Sequence, residues 1–275
     1  MLSLAELAQR QRARRSPPSL KQQYQQYLLD RIEDYKQSLS WGERMALPDE
    51  AMRELDSADQ GQFFLTEILL AEMVDQLIMK RLRLPSYKKW RTQFAELRQA
   101  QREPVHWGVD PECALVALLP RLEPGDHVLL VGGGVQAEAC LLAAHDCEVT
   151  FVDEDLALVD QLESRVSAEA LSERFCTYVA SLGTWLPPFE RELDLVVVDA
   201  GTLSGLEHPS RHSLLIALRN LTRSGGLHAI LPGGSSSAPE GYLSHYPDWD
   251  RDHPPARRKA TRSRGVVLTR PIIPG

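Results

Sequence analysis

Apolar positions recur along this chain in two regimes, helical in the first hundred residues and strand-like thereafter. Tyr24, Leu28, Ile32, Tyr35 and Leu39 fall at helical spacing, which predicts an amphipathic helix from Leu20 to about Leu39 that Ser19 caps. A shorter helix is expected from Pro48 to Leu55, with Pro48 in its first turn and Asp49 and Glu50 favoured by the helix dipole. From Phe63 to Leu84 the chain is apolar on more than one face, so a buried helix with the others packed around it is expected after Gly61. Leu84-Pro85-Ser86 interrupts the pattern. Trp90, Phe94 and Leu97 then mark one face of a further helix that runs to about Arg102.

Beyond a linker at Pro104 to Gly108 the pattern changes. Asp110-Pro111 predicts a helix that ends near Leu122. Val128 to Val131, Val149 to Val152, Phe175 to Val179, Leu193 to Val198 and Leu227 to Leu231 are short apolar runs that read as strands. Helical segments at Glu138 to Ala144, Leu156 to Val166 and Ser213 to Leu221 lie among them. Strands alternating with helices in this way mean a parallel sheet covered on both faces. A short helix around Gly241 to Tyr246 follows. Two last strands, near Trp249 to His253 and at Gly265 to Thr269, have a short connection and must pair antiparallel at the sheet edge. The predicted fold class is therefore α/β, a doubly wound, mostly parallel seven-stranded sheet with an antiparallel edge hairpin, plus an all-α N-terminal domain. The expected organisation is a basic tail at residues 1–18, a helical domain at 19–105 and a Rossmann-like domain at 106–275.

The first of these strands carries the candidate site. Val131 is followed by Gly132, Gly133 and Gly134, which remove every Cβ where the backbone turns and let a ligand approach the main chain. The next strand ends on Asp153-Glu154-Asp155. An acid there is placed to hold two ribose hydroxyls, because a carboxylate accepts two hydrogen bonds at once. A tight turn and a solvated helix start are the plainer readings of the same residues. In order and spacing they point to nucleotide or nucleoside binding. Gly132, Gly134 and Ala137 also fit GxGxxA, the dinucleotide pattern. Against a dehydrogenase stand the terminal edge hairpin, with no catalytic domain after it, and the lack of a proton donor better than a lone histidine.

The segments VLLVGGG, FVDED, LDLVVVDAG and LTRSGGLHAIL, with the terminal hairpin, resemble the class I S-adenosylmethionine-dependent methyltransferases across roughly Asp110 to Arg270. The N-terminal helices lie outside the resemblance. It implies that Val131, Gly132, Gly133 and Gly134 pass under the methionine part of S-adenosyl-L-methionine. It further implies that Asp153 and Glu154 serve the ribose, that Ser181 and Leu182 contact adenine, and that Asp199 borders the cleft. Three positions depart from the family pattern. Leu130 stands where an acid is frequent, Gln136 where a glycine is, and Ser181 near where an aspartate is common. The glycine run is also similar to spermidine synthase, except that Val135 replaces the acid that family needs. The pairing of a helical N-terminal domain with this fold is similar to nicotianamine synthase, which transfers the aminobutyrate part of the same cofactor.

Composition and charge narrow the reading. A net charge of −7 argues against a general nucleic-acid binder, and a hydrophobic fraction of 43% is ordinary for a globular protein. Cys113, Cys140, Cys147 and Cys176 form no CxxC pair and read as buried hydrophobes of a reducing compartment. With no signal-peptide pattern, a cytoplasmic location is expected, and Glu67, Glu72 and Asp75 argue against a membrane span. Asp199 is the candidate catalytic acid on the substrate side, or a helix cap. His208 or His212 is the candidate general base, or a surface histidine. No metal site is expected, since Glu207, His208 and His212 make no HExxH. Trp107, Tyr24 and Tyr27 are candidates to close a substrate pocket under a helical lid, or are core. The basic cluster from Lys80 to Arg91 is a solvated face or a site for an anionic group. The function expected is methyl transfer to a small molecule from S-adenosyl-L-methionine. Aminobutyrate transfer and a non-catalytic binding protein on the same fold are the alternatives.

Overall fold

The computed structural model describes residues 19–56, 67–232, 238–252 and 265–272. The tail at 1–18, the start of the long apolar helix before Glu67, the run Ser235 to Ser237 and the end of the strand expected at His253 lie outside the described residues. The chain divides into two compact units, Met1–Leu97 and Arg98–Gly275. The division falls upstream of the boundary read from the sequence and inside a helix.

In the second unit the strands β1 (His127–Val131), β2 (Glu148–Asp153), β3 (Phe175–Val179), β4 (Leu193–Asp199), β5 (Thr222–Leu231), β6 (Asp250–Asp252) and β7 (Val266–Thr269) form one sheet. Their order is β3-β2-β1-β4-β5-β7-β6. The first five strands pair in parallel, and β7 runs antiparallel to both β5 and β6. This is the sheet expected from the sequence. Alternate residues of each strand serve opposite faces, as the period of two demands. Val128, Leu130, Phe151 and Val197 pack with the helices Gln136–Ala144 and Leu156–Ala168. Leu129, Val131, Val152 and Val198 pack with Ala200–Gly205 and His208–Leu221.

The helices, numbered in chain order, are α1 (Leu20–Ser38), α2 (Trp41–Asp56), α3 (Glu67–Arg81), α4 (Tyr87–Gln101), α5 (Pro104–Trp107), α6 (Gln136–Ala144), α7 (Leu156–Ala168), α8 (Ala200–Gly205) and α9 (His208–Leu221). In the first unit Ile32, Leu47, Ala51, Val74, Leu77 and Ile78 form the core. Ser19 and Gln22 cap α1 reciprocally. No described helix is long and apolar enough to cross a membrane.

Three expectations about local structure are corrected. Helix α2 begins at Trp41 and not at Pro48, which lies inside it. A second capping box starts it, with the Ser40 N–H donating to Glu43 at 2.9 Å and the Glu43 N–H to the Ser40 hydroxyl at 3.4 Å. The helix expected from Asp110 to Leu122 is a series of turns ending in a 3-10 segment, Val116–Arg121, that contains Pro120. Asp110 folds onto the Glu112 N–H at 2.9 Å, an Asx turn that competes with a helix start. Finally, β5 begins at Thr222 and not at Leu227, so Ser224-Gly225-Gly226, where the glycines suggest a turn, is part of the strand.

Candidate functional site

In the strand order, β1 and β4 are the neighbours at which the sheet reverses its direction of growth, and the crevice beyond their carboxyl ends is where open α/β sheets bind ligands. Gly132, Gly134 and Asp199 meet there. Gly132 has φ +101, a conformation that only glycine adopts readily. A Cβ on it would lie 2.2 Å from the Thr202 hydroxyl oxygen. One on Gly134 would lie 2.6 to 2.8 Å from the Asp199 carboxyl atoms, and one on Gly133 2.7 Å from a Leu158 methyl. The space beside each glycine is thus taken by the protein's own side chains. The run is required for packing, whatever ligand it serves.

Asp199, 6% exposed, caps α8. It accepts from the Gly201 N–H at 2.9 Å, the Thr202 N–H at 3.1 Å and the Thr202 hydroxyl at 2.9 Å. Of the two readings left open for it, the helix cap is realised in the structure. Asp153 is equally buried at the end of β2. Its Oδ1 accepts the Asp155 N–H at 2.7 Å, while Oδ2 faces the glycine turn, 3.4 Å from the place of a Gly133 Cβ. Burial raises its pKa above the ordinary aspartate value, and the nearby charges of Asp155 and Glu154 add to the shift. Glu154 turns to the loop after β3, where it accepts the Leu182 N–H at 2.6 Å.

Glu138 joins this group, a residue that sequence reasoning treated only as the start of a helix. It lies in the first turn of α6, and its pKa is raised first by burial and then by the charge of Asp199. The signal in the sequence was an acid at the third position of a helix that opens on a glycine turn.

The remaining expected residues are distributed as follows. The Val131 side chain is fully buried in the core, and Leu182 is 3% exposed in the same cluster, so it offers no side chain to a ligand. Ser181 is exposed beside it. His208 is exposed at the start of α9, where it stacks with His212 at 6.5 Å between ring centres. His212 Nδ1 lies 3.4 Å from His245 Nδ1. His208 therefore belongs to a histidine group on α9 and the turn before β6. Trp107 is 4% exposed, its indole N–H donates to the Gln101 carbonyl at 2.6 Å, and Arg165 lies over its ring. That makes it a core residue of the second unit and not a pocket wall. Tyr24 and Tyr27 pack on Trp90 in the first unit. Burial pushes the thiols of Cys113 and Cys140 up to about 11 and that of Cys147 to about 12, which leaves them unreactive. Among the described residues no group of three or more His, Cys, Asp or Glu is placed to hold a metal ion.

No protein-family model matches the chain, and no curated protein does. Among solved structures it is similar to the glycopeptide N-methyltransferase MtfA complexed with sinefungin, at 16% identity and a TM-score of 0.38. That match covers 44% of this chain and 49% of MtfA, so the chain spans about half the length of that protein. It is similar to the N-methyltransferase NodS from Bradyrhizobium japonicum WM9 at 11% identity and a TM-score of 0.45, over 57% of this chain and 92% of that one. A TehB-like SAM-dependent methyltransferase from Corynebacterium glutamicum matches at 16% identity and a TM-score of 0.44, over 66% of this chain and 95% of that one.

Proposed function

We propose that this chain is a transferase that uses S-adenosyl-L-methionine, acting by methyl transfer on a small molecule. The observation that carries the reading is the sign of the charge at the glycine turn. Asp153 and Asp199 stand beside the glycines and Glu138 lies in the first turn of the helix that follows them, and the charges that add to the burial of Glu138 and Asp153 are those of the carboxylates Asp199, Asp155 and Glu154. A pyrophosphate laid on this turn meets repulsion, whereas a ligand with a sulfonium and an ammonium meets opposite charge. The residues present therefore suit S-adenosyl-L-methionine better than a dinucleotide.

In this reading the Oδ2 of Asp153, which faces the glycine turn, accepts from the ribose, the main chain at Gly133 and Gly134 runs beneath the methionine part, and Ser181 borders the adenine. Glu138 supplies the negative charge that Leu130 does not. The cofactor supplies an already activated methyl group, so the protein's task is to hold a nucleophile in line and exclude water. Asp199, committed to three hydrogen bonds, orients the loop into α8 and is not assigned proton transfer. His208, with its exposed ring, is assigned the acceptance of a proton from the substrate. The filled space beside each glycine favours, as a second reading, a protein that keeps this fold and binds without catalysis.

Calorimetric titration with S-adenosylmethionine, S-adenosylhomocysteine and NAD tests the proposal. Micromolar binding of the first two and not of NAD is expected. Asp153→Ala should weaken it about ten- to a hundred-fold, the worth of a hydrogen bond to a charged group. Binding of NAD alone, or affinity indifferent to Asp153→Ala, overturns it. Product analysis then separates adenosylhomocysteine, the mark of methyl transfer, from methylthioadenosine, the mark of aminobutyrate transfer.

A further inference from the structure

The end of α3, the turn after it and the start of α4 carry Lys80, Arg81, Arg83, Lys88, Lys89 and Arg91, with no carboxylate between Asp75 and Glu96. The segment is +6 in a chain of −7, so the remainder is −13. Arg81 is neutralised by Glu50 of α2. Arg83, Lys88, Lys89 and Arg91 are exposed, and none of them forms an ion pair among the described residues. A solvated helical face ordinarily interleaves both signs, which screens it and adds pairs at helical spacing. Here one sign is left uncompensated at the N-terminal end of a 15-residue helix, whose dipole adds positive potential at the same place.

The other face of α4 decides what kind of polyanion this surface fits. Trp90 is 7% exposed and stacks on Phe94 at 4.8 Å, with Tyr24 and Tyr87 at 5.3 and 6.2 Å from it. The Tyr24 hydroxyl donates to the Pro85 carbonyl at 2.9 Å and fixes the turn. The aromatic residues of α4 are thus consumed inside the unit. What α4 presents outward over its first turns is Lys88, Lys89, Arg91, Thr92 and Gln93, with no apolar side chain among them. An interfacial helix needs an apolar face to insert into a bilayer, and single-stranded nucleic acid is held largely by stacking on exposed aromatic rings. A duplex needs neither, because its bases are hidden and its phosphates are read by charge.

We propose that the surface formed by Arg83, Lys88, Lys89 and Arg91 docks the phosphate backbone of a nucleic-acid duplex, without reading its sequence. This inference is independent of the transferase reading.

The test measures anisotropy of a labelled, short, mixed-sequence DNA duplex with the full chain over a range of salt. Four phosphate contacts predict a slope of log K against log salt of about −3 to −4, or roughly a hundred-fold loss between 50 and 200 mM. A variant carrying Arg83→Gln, Lys88→Gln, Lys89→Gln and Arg91→Gln should lose at least ten-fold in affinity at low salt with an unchanged circular dichroism melt. Lys21→Gln with Arg53→Gln, which removes charge elsewhere in the same unit, should lose little. Affinity unchanged in the fourfold variant overturns the proposal. So does tighter binding of the separated single strands than of the duplex, or binding of phosphatidylserine vesicles without binding of the duplex.

Discussion

Asp153 divides its carboxylate between two tasks, one oxygen fixing the backbone of Asp155 and the other facing the glycine turn. Its pKa is raised, so the folded state holds this proton more tightly than the unfolded chain does. The sign follows from linkage: stability is greatest below the unfolded pKa and declines as pH rises toward the folded one. Asp153→Asn should therefore leave neutral-pH stability unchanged or higher while weakening cofactor binding, which thermal melts and calorimetry on one sample separate. Binding of a cationic ligand should strengthen with pH over the same window and release protons. His228 shows the opposite sign. Fully buried on β5, it lies 2.7 Å from the Thr222 hydroxyl through Nε2 and 3.0 Å from the Tyr246 hydroxyl through Nδ1, and burial lowers its pKa to about 3. The Thr222 hydroxyl donates to the Leu218 carbonyl, so Nε2 donates to Thr222 and Nδ1 accepts from Tyr246. The ring must stay neutral, and its contribution is whole above the unfolded value near 6.5 and is lost as pH falls toward 3. His228→Leu should cost roughly 1–3 kcal/mol at neutral pH, by leaving the buried Tyr246 hydroxyl without its acceptor, and should flatten the acid limb of stability against pH. Chemical denaturation at neutral and acid pH measures both.

Helix termini show how far element-scale signals can be read. The Ser19 cap was legible because it stands before a clean apolar stripe. Ser40-x-x-Glu43 is an equally good signal for α2, yet Pro48-Asp49-Glu50 offers a competing start seven residues later in the same helix. The competition is settled by packing: Leu47 and Ala51, each 3% exposed, hold the turn around Pro48 in the core. A proline in a helix interior forfeits a hydrogen bond, and only tertiary contacts offset that loss. The same logic applies to α8, six residues long and capped by Asp199. Asp199→Ala should cost about 0.5–2 kcal/mol through the lost cap. Gly134→Ala drives a methyl into the same carboxylate and should cost about 1–3 kcal/mol as overpacking. Urea denaturation reads both. A larger loss of cofactor affinity than of stability would place the cap at the ligand.

At the scale of the molecule, a ligand bound by the second unit at a hundred times its dissociation constant should add about 2.7 kcal/mol to that unit. Scanning calorimetry with S-adenosylmethionine checks this, and an unshifted transition counts against the site. The sheet was legible in the chain's pattern, because strands buried on both faces must be continuously apolar and strands joined through helices run parallel. The sequence by itself also placed Gly132 and Asp153 at strand ends, since chain order alone puts them there. Tertiary structure decided what those residues meet. That Asp199 and Thr202 fill the space beside the glycines, that the charge of Asp199 reaches Glu138, and that Trp107 is core while His208 joins His212 and His245 follow from bringing separate segments of the chain together. Local pattern records which side chains are buried and not which partners share the burial, because the period of a strand or helix sets a face while only the packed fold brings two faces together.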